Sequence, residues 1–498
     1  MQTLPNGKYL YSPVDLVNFL GCRHATFLDA QSLNQNWETA PASATDELLQ
    51  QKGLEHELAY LQQLKDSGYD VAEIPKDRGV RDRAQMTQQA MEAGADVIYQ
   101  AVLYDPPWRG DADFLIKTEA RSRLGNYSYE AVDTKLTRTP EAKHLIQLCS
   151  YTDLLTNLQG KRPEWMYLVL GNGEKVPYQV ADFIFYYQRA KQRFEDYLHD
   201  LPSASYPEPC NHCAICHWQN HCTAQWEQDD HLSRVANIQR SQIVKLQQAG
   251  ITTVEVLANT PPETKIPDLN PEVFQRLQAQ AALQHHKDQT GESTYEILSA
   301  SPGKGFERMP KPDAGDLFFD MEGDPLYPDG LEYLFGVYYQ DNGEATFQPF
   351  WAHDHTEEKQ TFNAFMAFLD SHLKQYPHAH IYHYNHYETT ALKRLAGRYG
   401  VCEEQLDNLL RGQKFVDLYV VVRESLRISE PGYSIKNLET FYMEKRDGEV
   451  ATATDSIVMY HRWRETGDDQ LLQHIADYNK DDCISTQKLR DWLLQLRP

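Results

Sequence analysis

Between Gly110 and Tyr151 the chain sets two carboxylates and an ammonium on a pair of neighbouring short strands. The stretch runs Gly110-Asp-Ala-Asp-Phe-Leu-Ile-Lys117, then Ala131-Val-Asp-Thr-Lys-Leu136, then Gln147-Leu-Cys-Ser-Tyr151. Residues 112–116 and 129–136 read as strands joined by a hairpin-like loop at Gly125-Asn126. Strand alternation puts Asp133 and Lys135 on one face, and Asp113 lies near the start of the preceding strand. Two carboxylates can hold a hard divalent cation, and a lysine beside them can orient water or stabilise charge. Gln147 and Tyr151 are four apart, on one face of the helix that follows. Two solvated strand ends with scattered charges are the plain alternative.

The order Gly-x-x-Asp, Asp-x-Lys, Gln-x-x-x-Tyr resembles the nuclease core of the RecB family, which has the restriction-endonuclease-like, PD-(D/E)XK fold. Upstream, Gly53-Leu54-Glu55-His56-Glu57 resembles that family's first motif, whose histidine can complete the metal site. The resemblance implies a catalytic set of His56, Asp113, Asp133, Lys135, Gln147 and Tyr151, with Mg2+ or Mn2+ on His56, Asp113 and Asp133.

A chain of 498 residues is too long for one core, so two to four domains are expected. Its formal net charge of −24 opposes general attraction to nucleic acid, although a local basic groove can hide in such a total. No apolar run reaches the length of a membrane span, and residues 1–7 lack the features of a signal peptide. A cytoplasmic chain with no membrane partner is the expectation.

Four of the eight cysteines crowd into one run, Cys210, Cys213, Cys216 and Cys222. In a long chain of this kind the pattern favours metal over disulfides. Cys149, Cys402 and Cys483 stand alone and read as core residues. Cys22 follows a helix opened by Ser12 and Pro13. Cys213-x2-Cys216-x5-Cys222 needs a fourth ligand from among Cys210, His212, His217, His221 and Cys22. Local spacing admits both a zinc knuckle and an iron–sulfur cluster. A subset of RecB-like nucleases, including AddB-type repair nucleases and the nucleases of CRISPR adaptation, has one cysteine before the core and Cys-x2-Cys-x5-Cys after it. That resemblance implies a 4Fe-4S cluster on Cys22, Cys213, Cys216 and Cys222, stapling the two ends of the nuclease domain. Cys210 is then an extra thiol.

Beyond Cys222 the pattern is helical. Residues 241–251, a helix from Thr253 and one opened by Asn270-Pro271 resemble a helix-hairpin-helix unit, with a plain helical domain as the alternative. Residues 291–315 turn to Gly, Pro, Ser and Lys and read as a linker. No phosphate-loop motif occurs, so no motor is recognisable.

After the linker, Asp316–Asp324 is an apolar strand carrying Asp320-x-Glu322 on one face. Strands at 333–339 and 345–351, a helix near 357–374, and a strand His380–Tyr384 leading to Glu388 follow. Tyr478 and Asp482 share a face of a late helix. This order resembles the DEDD-type exonucleases of the ribonuclease-H-like superfamily, in which four acids hold two divalent ions about 4 Å apart. The resemblance assigns Asp320, Glu322, Glu388 and Asp482 to metal and Tyr478 to the attacking water. Glu388 stands where that family usually has Asp, and Asp417 is a further candidate acid. Both halves in this order resemble RecB-like nucleases with a C-terminal exonuclease domain.

The expected architecture is therefore α/β throughout. It comprises a RecB-like domain at 1–230, a helical domain at 231–290, the linker at 291–315, and a ribonuclease-H-like 3′–5′ exonuclease domain at 316–498. The expected activity is metal-dependent cleavage of single-stranded or duplex DNA, with RNA as a second substrate class, in repair, recombination or processing. Relatives of this arrangement sometimes accompany a helicase, so a separate helicase is a candidate partner. The rival expectation is a non-catalytic nucleic-acid-binding or helicase-partner scaffold.

Overall fold

The computed structural model describes residues 1–3, 9–33, 37, 43–341, 343–444 and 452–497. It divides into two compact units, Met1–Gln225 and Trp226–Pro498.

The first unit is built on a six-stranded mixed sheet. A two-residue ribbon, β1 (Gln2–Thr3) and β2 (Tyr9–Leu10), precedes α1 (Pro13–Gly21), α2 (Arg23–Ser32) and α3 (Ala44–Asp66). The sheet strands are β3 (Val71–Glu73), β4 (Val97–Asp105), β5 (Trp108–Thr118), β6 (Ser128–Thr134), β7 (Trp165–Val169) and β8 (Lys175–Gln179), in that spatial order. Between them run α4 (Val80–Ala93) and α5 (Ala142–Gln159), and α6 (Val180–His199) follows. β4, β5 and β6 are antiparallel neighbours, and α5 carries the chain over to β7, parallel to β6. β6 is buried along its whole length. On one face Leu148, Leu154 and Leu155 of α5 pack with residues of α1 and α6; on the other, Tyr60, Leu61 and Leu64 of α3 cover Val97, Phe114 and Val132.

β4 is a strand that the sequence reading passed over. It forms because Val97, Ile98, Ala101, Val102 and Leu103 are all fully buried, so its run lacks the polar alternation of a half-exposed strand. α5 crosses the sheet closely. A Cβ on Gly110 would lie 2.7 Å from Tyr151 Cδ1, so only glycine lets this helix settle there.

The second unit begins within α7 (Gln219–Gln228). A helical layer of α8 (Arg240–Gln248), α9 (Val254–Asn259) and α10 (Pro271–Thr290) buries Leu246, Leu257, Phe274 and Leu277 in its own core. Residues 291–315, expected as a linker, are instead fastened down. β9 (Tyr295–Ile297) pairs with β15 (Leu426–Ile428), and Arg308 makes a two-toothed ion pair with Glu424. The stretch is rich in turn residues because it bends repeatedly along a surface, and backbone pairing holds it there.

The remainder is a five-stranded sheet ordered β12-β11-β10-β13-β14. β10 (Leu317–Asp324), β11 (Leu331–Asp341) and β12 (Glu344–Trp351) form an antiparallel meander; β13 (Ile381–His383) and β14 (Phe415–Asp417) add in parallel. Leu317, Phe319 and Met321 point to the side covered by α11 (His355–Gln375), α12 (Tyr387–Tyr399) and α13 (Glu403–Arg411). Phe318 points to the opposite side, under α14 (Leu418–Ser425) and α17 (Asp469–Leu496). α15 (Ile435–Glu439) and α16 (Ala453–Thr466) complete the unit. Arg490 of α17 lies 2.6 Å from Asp316 at the mouth of β10 and stacks over Phe318 and Tyr382, which locks the helix across the sheet.

Candidate functional sites

By strand alternation Asp320 and Glu322 share the face of Phe318, the one that α17 crosses. α17 brings Asp482 to them: ligand oxygens of Asp320, Glu322 and Asp482 all lie within 4.8 Å of one another, the one such acidic trio among the described residues. Glu322 is 5 % exposed and Asp482 9 %. Burial, reinforced by Asp482, pushes the Glu322 carboxyl up to about 8. Burial and the neighbouring acids Asp482, Glu322 and Glu388 hold Asp320 well above the usual carboxylate range. Like charges at this spacing keep protons unless a cation replaces them.

Tyr478, one turn before Asp482, is buried with its hydroxyl on Asp482; burial first, then the three acids, raise it. Glu388 sits in the first turn of α12, buried, with His383 Nδ1 3.4 Å from its carboxylate. It acts on Asp320 electrostatically but stands outside the tight trio. Asp417 caps α14 by accepting from Tyr419 N and also accepts from Asn385 N, each at 2.9 Å. It thereby holds the turn that leads into α12.

Three residues at this site had no motif to announce them. Asn479 Nδ2 donates to Asp320 Oδ2 at 2.7 Å. It reaches across because Gly336, the cross-strand partner of Asp320, has no side chain; a Cβ there would lie 1.6 Å from Asn479 Oδ1. Ser456 of α16 hydrogen-bonds Glu322, and Tyr333 OH meets the same hydroxyl at 2.6 Å. Lys436 of α15 holds its ammonium 4.6 Å from the Tyr478 ring centroid and favours ionised Glu322. The adjacency of Asn479 to Tyr478 is the one available sequence signal.

In the first unit Asp133 is 1 % exposed, and Lys135 Nζ lies 2.5 Å from its Oδ2. Burial pushes the Asp133 carboxyl up to about 7, with Lys135 opposing and Asp113 adding to the rise. Burial would lower the Lys135 ammonium, but Asp133 and Asp113 outweigh it and keep it charged. Asp113 Oδ2 accepts from Thr134 N at 2.7 Å and Thr134 Oγ1 at 2.8 Å. Gln147 Nε2 donates to Tyr151 OH at 2.6 Å, and Tyr151 is raised by burial, Asp133 and Asp113. Asp113, Asp133, Lys135, Gln147 and Tyr151 thus converge.

His56 faces elsewhere, with Nε2 3.3 Å from the Val169 carbonyl. Its neighbour Glu57 is the α3 residue that couples to Asp113 and Lys135. Gln100 Nε2 donates to Glu57; Gln100 has φ +57° and lies opposite Asp113 between the registered pairs Tyr99–Phe114 and Ala101–Ala112. A left-handed glutamine inside a strand is costly and clusters with functional sites.

The cysteines also converge. Cys22 caps α2, its Sγ accepting from Ala25 N at 3.4 Å, and adjoins Cys210. Cys210 Sγ is 3.8 Å from Cys213 Sγ and 3.6 Å from the Gly21 carbonyl. Burial pushes the Cys222 thiol up to about 12, helped by Cys216, Cys22, Cys213 and Cys210. Thiols from sequence positions nearly two hundred residues apart thus lie near one another, without any three of them showing the mutual ligand-atom spacing within 4.8 Å that the acid trio shows.

Residues 317–494 match the family model described as RNase_H superfamily. A search of curated proteins returns no match. The second unit therefore contains a ribonuclease-H-like domain, consistent with nuclease-type phosphodiester hydrolysis, and its acid trio fits the Mg2+ or Mn2+ that such nucleases use. No described helix is long and apolar enough to cross a membrane.

Gly336→Ala and Asn479→Ala should each weaken Mn2+ binding roughly tenfold, the worth of one hydrogen bond to a charged group. Isothermal titration should show the double variant no worse than either single one, since both remove the same contact. The raised carboxylates give a second expectation. Below about pH 4.5 folded and unfolded chains are both protonated at Glu322; between there and about 8 the folded chain holds more protons. Without metal, the stability of the second unit should fall as pH rises through this window. Added Mn2+ should reverse the fall, as read by melting temperature at each pH.

Proposed function

We propose that this chain is a metal-dependent nuclease with two phosphodiesterase sites, the second an exonuclease acting from the 3′ end of single strands. The observation that carries the reading is the trio Asp320, Glu322 and Asp482 on the sheet and crossing helix of the ribonuclease-H-like domain. Asp320, Glu322 and Asp482 would hold divalent ions, with Glu388 set behind the trio at the side of Asp320. Such ions would supply positive charge for phosphodiester hydrolysis. Tyr478 OH orients water, and its place on Asp482 fixes the direction it presents. Asn479 and Ser456 hold the two strand acids in one rotamer each.

The first unit supports a second site of RecB type. With β3 and α4 set between α3 and β4, the succession of α3, β4, β5, β6, α5 and parallel β7 resembles the order of a restriction-endonuclease-like core. Asp113, Asp133 and Lys135 lie beneath Gln147 and Tyr151, and Glu57 is the α3 acid suited to complete a metal site there. DNA is the favoured substrate, RNA a second, and repair or recombination the setting in which two such sites serve one chain. In this reading Cys22, Cys213, Cys216 and Cys222 would hold a 4Fe-4S staple, with Cys210 alongside.

The deciding assay is hydrolysis of end-labelled single-stranded and duplex DNA and RNA with Mg2+ or Mn2+. Asp320→Ala should cost orders of magnitude at the second site, and Tyr478→Phe about a hundredfold. With Asp320→Ala in place, Asp113→Ala or Lys135→Ala should remove the residual cleavage. Cleavage at the parental rate in the chain carrying both Asp113→Ala and Asp320→Ala would sink the two-site reading. Anaerobically purified protein should contain about four irons per chain, and Cys22→Ala should lose iron and destabilise the first unit. Stoichiometric zinc without iron would exclude the cluster.

A further inference from the structure

Within the second unit, α10, α14 and β15 enclose a cleft of about 470 Å3 lined by Arg276, Arg423, Arg427, Asn237 and Tyr433. Three arginines line one opening in a chain whose acids outnumber its bases 72 to 48. Arg427 is neutralised by Glu296. Arg423 is not neutralised by a carboxylate among the described residues: it is exposed, stacks 4.8 Å from the Tyr433 ring centroid and donates to the neutral Asn237 Oδ1 at 3.2 Å. Exposed Arg276 has no hydrogen-bond or ion-pair partner among the described residues.

A short stretch of chain joins the cleft to the acid trio. The Tyr433 carbonyl accepts from Tyr384 OH, on the segment between β13 and Glu388. Ser434 then caps α15, and Lys436, three residues from Tyr433, lies over Tyr478. Three residues span at most about 10 Å, so the cation Lys436 at the edge of the acids lies a short backbone reach from Tyr433 of the cleft. A polyanion repelled by the surface as a whole is drawn in only where local cations outweigh that repulsion. An arginine stacked on a tyrosine offers both a phosphate contact and a flat surface for a base.

We propose that this cleft is a backbone-binding site for single-stranded nucleic acid. Arg276 and Arg423 grip phosphates of the strand whose end Lys436 delivers to Asp320, Glu322 and Asp482. Only the destination of the strand rests on the nuclease reading; the binding itself does not.

The test is fluorescence anisotropy of a labelled 20-nucleotide oligothymidylate on full-length Asp320→Ala protein, across a range of salt concentrations. Adding Arg276→Gln and Arg423→Gln should weaken binding at least tenfold and flatten the salt dependence by about two counterions. Arg423→Lys alone should restore part of the phosphate term and less of the stacking. Unchanged affinity and salt slope in the double glutamine variant would overturn the cleft, as would an absence of binding by the Asp320→Ala parent at low salt. Arginine-dependent binding by a metal-replete parental chain that cleaves nothing would uphold the cleft and refute the nuclease reading.

Discussion

Three carboxylates cannot share a buried space of this size while all are charged, and the second unit is arranged around that repulsion. Asp320 and Glu322 come from one strand face, so the sheet fixes their separation. Asp482 arrives on α17, and nothing about the helix alone would bring an acid to two others. Hydrophobic packing against Phe318 and the Arg490–Asp316 ion pair hold it there. The folded chain holds the Asp320 and Glu322 carboxyls above their usual range, so a bound cation is what would favour their charged forms. Such a site is prepared by packing and completed by charge.

The two units reach this state by related means. In each, a buried strand carries acids and a long helix crosses it with a polar side chain aimed at them. In each, a glycine makes the crossing close enough: Gly110 beneath Tyr151, Gly336 beneath Asn479. Removing a side chain from the strand costs some strand propensity. Here it gives the helix a route to the acids. The Asp133–Lys135 pair and the Lys436–Glu322 neighbourhood show two ways of tempering the repulsion without a metal, one by direct pairing and one from the rim.

Much of this was legible from local pattern. Asp-x-Lys and Asp-x-Glu encode a shared strand face, and four-residue spacing encodes a shared helix face, so Asp133 with Lys135, Asp320 with Glu322, and Tyr478 with Asp482 were found as pairs. What no local rule gives is helix phase against a distant sheet. His56 and Glu57 are adjacent in sequence, yet the packing of Tyr60 and Leu61 turns Glu57 toward Asp113 and leaves His56 on Val169. Lys436 and Ser456 reach the acids from elements without a motif, and β4 is too uniformly apolar to show strand alternation. The turn-rich stretch at 291–315 reads as a linker because composition reports backbone bending but not whether the bends are anchored.

The gathering of the cysteines orders events in time. Cys22 leaves the ribosome early; Cys213, Cys216 and Cys222 follow only after Asp113, Asp133, Lys135 and Gln147 have been made. The sheet and its acids therefore exist in the nascent chain before the residues that gather around Cys22. During that interval Cys22 waits as a lone thiol at the start of a helix, open to whatever encounters it. Cys22 therefore meets its thiol neighbours only after the sheet between them has been made.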